Sequence, residues 1–382
     1  MEGFVVSARK YRPNTFASVV GQEHVTTTLQ NAIKNNQLAQ AFLFCGPRGV
    51  GKTTCARILA KALNCQNPDE DMEPCGTCDS CISFGHGTSM NIRELDAASN
   101  NSVEDIRNLV DQVRYMPQNG KYKIYIIDEV HMLSNQAFNA FLKTLEEPPS
   151  YAIFILATTE KHKIIPTILS RCQIFDFNRI QVKEIVLHLK SIAEKEKIEA
   201  EEEALHLIAQ KADGALRDAL SLFDLITTYA SGRKIEYAKV IENLHILDYD
   251  YYFRMTRHLL ASENADVLLT LDEISRKGFD GHHFINGLAE HFRNLLVCKD
   301  ERTLSILDVS ENVVRQYKEQ AAQCSVSFLL SCINLANQCD IQYKSSKNPR
   351  LHLEIYLLKM AHVVHALNIA SLSTDSEALK KK

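Results

Sequence analysis

The sequence predicts an α/β protein: a five-stranded parallel sheet covered by helices on both faces, followed by helical regions only. Three observations lead there. Gly46-Pro47-Arg48-Gly49-Val50-Gly51-Lys52-Thr53 lies between a short apolar run and an amphipathic segment. Up to about residue 178, short apolar runs alternate with segments of helical periodicity, the pattern of a parallel sheet buried on both faces. From Arg179 onward the periodicity is helical throughout.

The 382 residues suggest two or three domains, and an apolar fraction of 45% is enough for a core. The net charge of −4 excludes a generally basic nucleic-acid binder, so any contact with DNA or RNA falls to a local patch. No run of about 18 apolar residues occurs, so no membrane span is expected. Met1 to Lys10 holds no apolar core ahead of a cleavage site, and a cytoplasmic location is expected. Eleven cysteines, an odd number with four of them clustered, suit a reducing compartment and a metal site better than a disulfide framework.

Taken in order, the chain opens with Arg9, Lys10 and Arg12, a small basic cluster that composition alone reads as solvated surface. Val25, Leu29 and Ile33 stripe a helix between Gln22 and Gln37. Ala41 to Cys45 reads as the first strand, and Ile58, Leu59, Ala62 and Leu63 mark a helix from Thr54 to Leu63. Between them the loop fits G-x-x-x-x-G-K-[ST], the phosphate-binding P-loop, in the strand–loop–helix context it requires. Its backbone N–H groups wrap a triphosphate, and the helix N-terminus adds partial positive charge. Lys52 supplies a full charge for the phosphates and Thr53 a hydroxyl for Mg²⁺. Such a loop specifies a nucleotide without specifying a machine.

Cys65, Cys75, Cys78 and Cys81 follow. Four thiolates at these spacings can close a tetrahedral zinc site, and Pro68, Pro74 and Gly76 put a loop between them. An iron–sulfur cluster is a competing reading, without an accompanying redox motif, and free cysteines are a third. With all four ligands from protein the site would be structural.

Ile92 to Leu95 is a second strand, and Ser102 starts a helix carrying Val103, Ile106, Val110 and Val113. Tyr122 to Ile127 is a third strand running into Asp128-Glu129, the Walker B pattern, in which the Asp holds Mg²⁺ and the Glu orients the attacking water. Acidic residues at strand ends also serve as turn formers. Ser134 caps a helix that Pro148-Pro149 stops. Ile153 to Ala157 is a fourth strand ending at Thr158-Thr159, Pro166 opens a short helix ending at Ser170-Arg171-Cys172, and Ile174 to Phe177 is a fifth strand. The P-loop, Asp128 and Thr159 all lie at strand ends, where ligands bind in such sheets.

Three helices follow, marked by Val182 to Ile192, Ala204 to Ile208 and Leu216 to Ile226. Arg217 falls in the first turn of the third, where a cation needs an anionic partner. A γ-phosphate would be one such partner; Asp218 or another carboxylate would be another. Five further amphipathic stretches run from Tyr252 to Leu367 without a catalytic motif, so an oligomerisation role is expected for them. His258, His282, His283 and His291 read as surface or packing residues, and Cys298, Cys324, Cys332 and Cys339 as core. Ser371 to Lys382 is polar and expected to be disordered.

The stretches Tyr11-Arg12-Pro13, Val20-Gly21-Gln22, the P-loop, the four cysteines, Asp128 to Leu133, Leu142 to Pro149, Ala157-Thr158-Thr159, Ser170-Arg171-Cys172 and Gly214 to Leu220 together resemble the gamma/tau subunits of bacterial DNA polymerase III clamp loaders, members of the AAA+ ATPases. The cysteine insertion after the P-loop helix separates that family from most other AAA+ proteins. The resemblance implies an AAA+ core at 1–178 with a zinc module at 65–81, a helical lid at 179–243, a helical collar at 244–369 and a tail at 370–382. It implies an ATPase of the DNA polymerase III holoenzyme that is not itself the polymerase. That ATPase works in a five-membered ring with other loader subunits, opening a sliding clamp and placing it on primed DNA. ATP, Mg²⁺ and Zn²⁺ are the implied cofactors. Gly46 to Thr54 would bind the nucleotide, with Thr53 and Asp128 at the Mg²⁺ and Lys52 and Glu129 in catalysis. Thr159 and Arg217 would sense the γ-phosphate, and Tyr11, Arg12 and Val20 would contact the adenine. Arg171 would act in trans on ATP held by a neighbouring subunit. Long forms in the family carry further carboxy-terminal domains, and this chain has the expected extent of a short or truncated form. A ring scaffold that binds ATP without turnover, and another AAA+ DNA motor such as a branch-migration helicase, are the rival readings. Intact Lys52, Glu129 and Arg171 count against the first, and the cysteines and apparent collar against the second.

Overall fold

The computed structural model describes residues 5–366 apart from 119, 231–233, 245, 246, 308 and 310. The expected tail and the end of the last helical stretch at Leu367 lie outside the described residues. Five parallel strands form the main sheet: β1 (Ala41–Cys45), β2 (Ile92–Asp96), β3 (Lys123–Asp128), β4 (Ala152–Thr158) and β5 (Gln173–Asp176). Their order is β2-β3-β4-β1-β5. β1 and β4 are central and buried along their whole length, which is why both read as unbroken apolar runs. The edge strand β2 buries Ile92 and exposes Arg93 and Glu94.

Successive side chains of the strands serve opposite faces. Phe42 and Phe44 pack with Ala56 and Leu59 of the helix Lys52–Asn64. Leu43 and Cys45 join Phe138, Phe141 and Leu145 of the helix Asn135–Glu146 on the other face. There Phe154 meets Phe141 edge-on at 5.1 Å and stacks on Tyr125 at 5.6 Å. The register aligns Cys45 with Thr158 and Ile127 with Leu156. The carboxyl ends of β3, β4 and β1 are thereby neighbours, and the chain order reverses across them, the usual place for a ligand in an open parallel sheet.

Each strand lies within a residue or so of its expected position. The caps behave as the sequence suggests: Ser134 Oγ accepts from Ala137 N, and Ser102 forms a capping box with Asp105. One helix was not anticipated among the cysteines. Asp79–Gly85 is only seven residues long, and the nearby Pro74 and Gly76 hide its periodicity.

The described residues divide into two compact units between Ile235 and Glu236. After the sheet, the first unit contains the helices Val182–Glu196, Glu202–Lys211 and Leu216–Tyr229. They bury Ile185, Leu189, Leu205, Ile208 and Phe223, and the two-residue parallel strands Glu199–Ala200 and Lys234–Ile235 tie their ends together. The division falls ahead of the boundary expected at 243 because Ile235 pairs into this ladder. The helix Tyr237–Asn243, also unforeseen, lies beyond it.

The second unit is all helical, built on Phe284, Leu288, Phe292, Phe328, Leu329 and Leu357. Glu311–Gln323 is a helix that its polar sequence did not announce. Cys324, Cys332 and Cys339 are buried and Cys298 is half-buried. Of the two places expected for His291, surface or packing, the structure gives packing: it is buried. Its Nδ1 lies 3.1 Å from Tyr317 Oη and its Nε2 3.0 Å from Gln320 Oε1, while Gln320 Nε2 donates to Phe253 O at 2.8 Å. Among the described residues, no helix is long and apolar enough to cross a membrane.

Candidate nucleotide site and cysteine cluster

From the end of β1 the chain enters the glycine loop. Gly46 has φ 150°, and a Cβ there would lie 2.4 Å from the Phe177 carbonyl oxygen, so no side chain fits. Gly49 has φ 79°, and a Cβ there would lie 3.0 Å from Ala215 Cβ. This second glycine lets the helical part of the unit approach the loop, and Arg217 N donates to Gly49 O at 3.3 Å.

Lys52 opens the helix Lys52–Asn64, and its ammonium donates to Gly46 O at 2.8 Å and Pro47 O at 2.7 Å. It is buried, and that desolvation lowers its pKa against the opposing charges of Glu129 and Asp128. Thr53 Oγ1 donates to Asp128 Oδ2 at 2.6 Å, so the hydroxyl and carboxylate expected at Mg²⁺ converge from two elements. Glu129 adopts φ 47°, ψ 44° and turns the chain from β3 into the short turn Val130–Met132. That is an uncommon conformation for a non-glycine residue. Its Oε2 accepts from Thr159 Oγ1 at 3.1 Å.

A cavity of about 450 Å³ lies over the loop, within the size range of small-molecule sites. Residues 48–54, Asp128 and Glu129 line it. Tyr11, Arg12, Val20 and Arg217 line the same cavity, so these four expected residues come together with the P-loop. Among the described residues Arg217 has no ion pair with Asp218 or any other carboxylate. Arg12 Nε donates to Thr54 Oγ1 at 3.2 Å. The amino-terminal wall is fastened to the helices beyond the sheet: Ser7 N donates to Asp224 Oδ2 at 2.7 Å, and Lys10 and Tyr11 both bond Glu196. Lys10 is therefore paired and not merely solvated.

Two expected residues stand elsewhere. Thr159 does not line the cavity; its hydroxyl is on Glu129. Arg171 is also outside it, paired with Glu146 Oε1 at 2.7 Å and donating to Thr167 O at 2.7 Å. Sequence reasoning missed Ile180, Leu216 and Leu220, which give the cavity an apolar side, and His131, which touches Glu129. The apolar three read as ordinary helix-core residues, and only the tertiary approach of Ala215 to Gly49 places them here.

Cys65, Cys75, Cys78 and Cys81 have their sulfurs within 4.8 Å of one another. Zn–S bonds of about 2.3 Å in a tetrahedron require S–S edges of roughly 3.8 Å, so the cluster fits zinc after small adjustments. Backbone N–H groups of Cys75 and Cys78 already point at sulfur, at 3.3 Å from Cys65 Sγ and 3.4 Å from Cys75 Sγ. The N–H groups of Thr77 and Cys78 push the Cys75 thiol down to about 6, whereas burial pushes Cys81 up to about 12. Glu73, between the first two cysteines, accepts from Phe16 N at 2.7 Å and Ala17 N at 2.8 Å and so binds the module to the amino-terminal segment.

Three family models match along the chain. "DNA polymerase III, delta subunit" matches residues 21–181. "DNA polymerase III clamp loader subunit, ATPase lid domain" matches 184–232, and "DNA polymerase III subunits gamma and tau domain III" matches 235–380. The DNA polymerase III subunit tau of Bacillus subtilis is 42% identical over 358 residues, 94% of this chain and 63% of that protein. Its namesake from Escherichia coli is 44% identical over 277 residues, 72% of this chain and 43% of that protein. The chain thus spans less than two thirds of the length of these relatives. Among solved structures, the Thermotoga maritima RuvB Holliday junction branch migration motor aligns at 20% identity with a TM-score of 0.45, covering 65% of this chain and 79% of that one, a likeness too low to weigh. Delta-subunit, lid and third-domain models of one complex follow one another along a single chain, and the two relatives carry the same subunit name across 94% and 72% of it. The chain belongs to the gamma/tau family of DNA polymerase III clamp-loader subunits.

Proposed function

We propose that this chain is an ATP-hydrolysing subunit of the replicative clamp loader, using ATP binding and hydrolysis to open a sliding clamp and load it at primer–template junctions. The observation that carries the reading is the convergence of Lys52, Thr53, Asp128 and Glu129 on one cavity, with Thr53 Oγ1 2.6 Å from Asp128 Oδ2. Triphosphate oxygens would draw the Lys52 ammonium from the two loop carbonyls it now bonds. Thr53 and Asp128 would hold Mg²⁺, which supplies charge neutralisation for the phosphates when bound. Glu129 would orient the attacking water. Tyr11, Arg12 and Val20 would flank the base, together with the apolar Ile180, Leu216 and Leu220.

Arg217 would bind the γ-phosphate from the lid, which couples nucleotide state to lid position through its backbone bond to Gly49. Thr159 would act at the γ-phosphate by way of Glu129, the group its hydroxyl bonds. Arg171 would leave Glu146 and serve as an arginine finger on a neighbour's ATP, an interaction worth about 10³–10⁵ in rate in other systems. The four cysteines would hold a structural Zn²⁺. The partners would be the other subunits of a five-membered ring, the sliding clamp and primed DNA, in the cytoplasm.

The test is the ATPase rate of the chain alone and with its partner subunits, clamp and primed DNA. Weak turnover alone and strong stimulation by the full set is expected. Turnover that is indifferent to clamp and DNA would remove the clamp-loading reading, and turnover unaffected by Lys52→Ala would remove the site.

A further inference from the structure

His131 follows β3 in the turn Val130–Met132, and its side chain is only 6% exposed. Its Nδ1 lies 3.1 Å from Thr158 Oγ1 and 3.4 Å from Glu129 Oε2. Its Nε2 lies 3.3 Å from Glu160 Oε1. The ring is thus wedged between carboxylates carried on the ends of β3 and β4. Its neighbours are themselves hydrogen-bonded. Thr158 is fully buried, and its Oγ1 accepts from Glu160 N at 3.1 Å. Lys163 holds the Glu160 carboxylate at 2.8 Å.

The consequence falls on Glu129. Thr159 Oγ1 donates to Oε2, and His131 Nδ1, hydrogen-bonded to Thr158 Oγ1, lies against the same oxygen at 3.4 Å. Among the described residues Oε1 takes no hydrogen bond, and Glu129 lines the cavity. A glutamate at a cavity edge samples many rotamers unless it is held. One tethered at Oε2 keeps a fixed direction and retains Oε1 as a free acceptor, which is what orienting a water molecule requires.

We infer that His131 is a positioning residue for Glu129: its Nδ1 side, with Thr159, fixes the carboxylate that faces the nucleotide cavity. The inference rests on the reading of Glu129 as the water-orienting group. It assigns different work to the two ring nitrogens, since Nε2 only anchors the ring to Glu160.

Single-turnover ATP hydrolysis by the purified full chain tests it, with three replacements. His131→Ala removes both contacts, His131→Asn places a donor where Nδ1 stood, and His131→Gln places one where Nε2 stood. His131→Ala should slow hydrolysis by on the order of tenfold or more, since positioned proton acceptors contribute about 10²–10⁴ in rate. Affinity for a fluorescent ATP analogue and the unfolding temperature should hold. His131→Asn should restore most of the rate, and His131→Gln should not. An unchanged rate in His131→Ala overturns the inference, as do equal rates for the Asn and Gln variants or losses that track unfolding temperature. Glu129→Gln separates the two levels of the argument. If it hydrolyses like wild type, the role given to Glu129 fails; if it is inactive while His131→Ala is normal, only the inference about His131 fails.

Discussion

Replacing Lys52 by Met should separate nucleotide binding from stability, and with opposite signs. Lys52 is buried, with a relative exposure of 6%, and burial holds its pKa below the ordinary 10.5. Folding around a charged Lys52 therefore costs free energy at neutral pH. That cost is fully present below the lowered pKa and fades as pH rises from there to 10.5. Met keeps the volume and removes the charge, and the Gly46 and Pro47 carbonyls it leaves are only half-buried and can take water. Without nucleotide, the unfolding temperature should stay level or rise.

Binding should suffer. A charge-assisted hydrogen bond is worth about 1.5–3 kcal/mol, which corresponds to roughly 10- to 150-fold in affinity. At ATP one hundred times the wild-type Kd, ligand stabilises the native state by about 2.7 kcal/mol; a Kd weakened about 30-fold leaves about 0.9 kcal/mol. Thermal unfolding with and without Mg-ATP, alongside titration with a fluorescent ATP analogue, reads both effects. An unfolding temperature that drops sharply without nucleotide, or ATP-induced stabilisation equal to wild type, would refute the assignment of this ammonium to a phosphate.

Arg171→Ala should leave ATP affinity intact and reduce turnover only in the assembled ring. Its partly exposed pair with Glu146 contributes at most about 1 kcal/mol, so the unfolding temperature of the isolated chain should barely move. A loss of ATP binding by the isolated chain would contradict the trans role. Metal analysis should find one zinc per chain, and Cys81→Ala should lose it together with protease resistance around residues 65–85; full metal content in that variant would exclude Cys81 as a ligand. In the second unit, burial pushes His291 from 6.5 down to about 4. The unfolded chain then binds a proton that the native one does not, so stability is complete above pH 6.5 and falls by up to about 3 kcal/mol as pH drops toward 4. Denaturant unfolding at pH 7 and 4.5 should show this slope, and His291→Gln should flatten it.

Much of the core was legible because its signals are local. β1 and β4 are central, so Ala41 to Cys45 and Ile153 to Ala157 carry unbroken apolar runs. Ser102 and Ser134 announce helix starts through their own hydroxyls. The short helix at Asp79 was hidden because seven residues cannot display a stripe. Glu311–Gln323 was hidden because its sequence is largely polar. For His291 the choice between surface and packing stayed open, because one histidine on an apolar face says nothing about Tyr317 and Gln320, more than twenty residues away.

The P-loop could be read from eight consecutive residues, since wrapping a triphosphate is a property of the loop and of the helix that follows it. The clustering of the four cysteines and the place of Asp128 at a strand end could be expected for the same reason: residue type and spacing travel with the chain. Tertiary structure decided what those pieces face. Strand order cannot be read from periodicity, and it is the order β3-β4-β1 that sets Thr53 on Asp128 and Thr159 on Glu129. It is the return of the chain at Ala215 to Gly49, across more than 160 residues, that closes the cavity with Leu216, Arg217 and Leu220. Contacts at that separation depend on packing between elements, and no local pattern records which elements will meet.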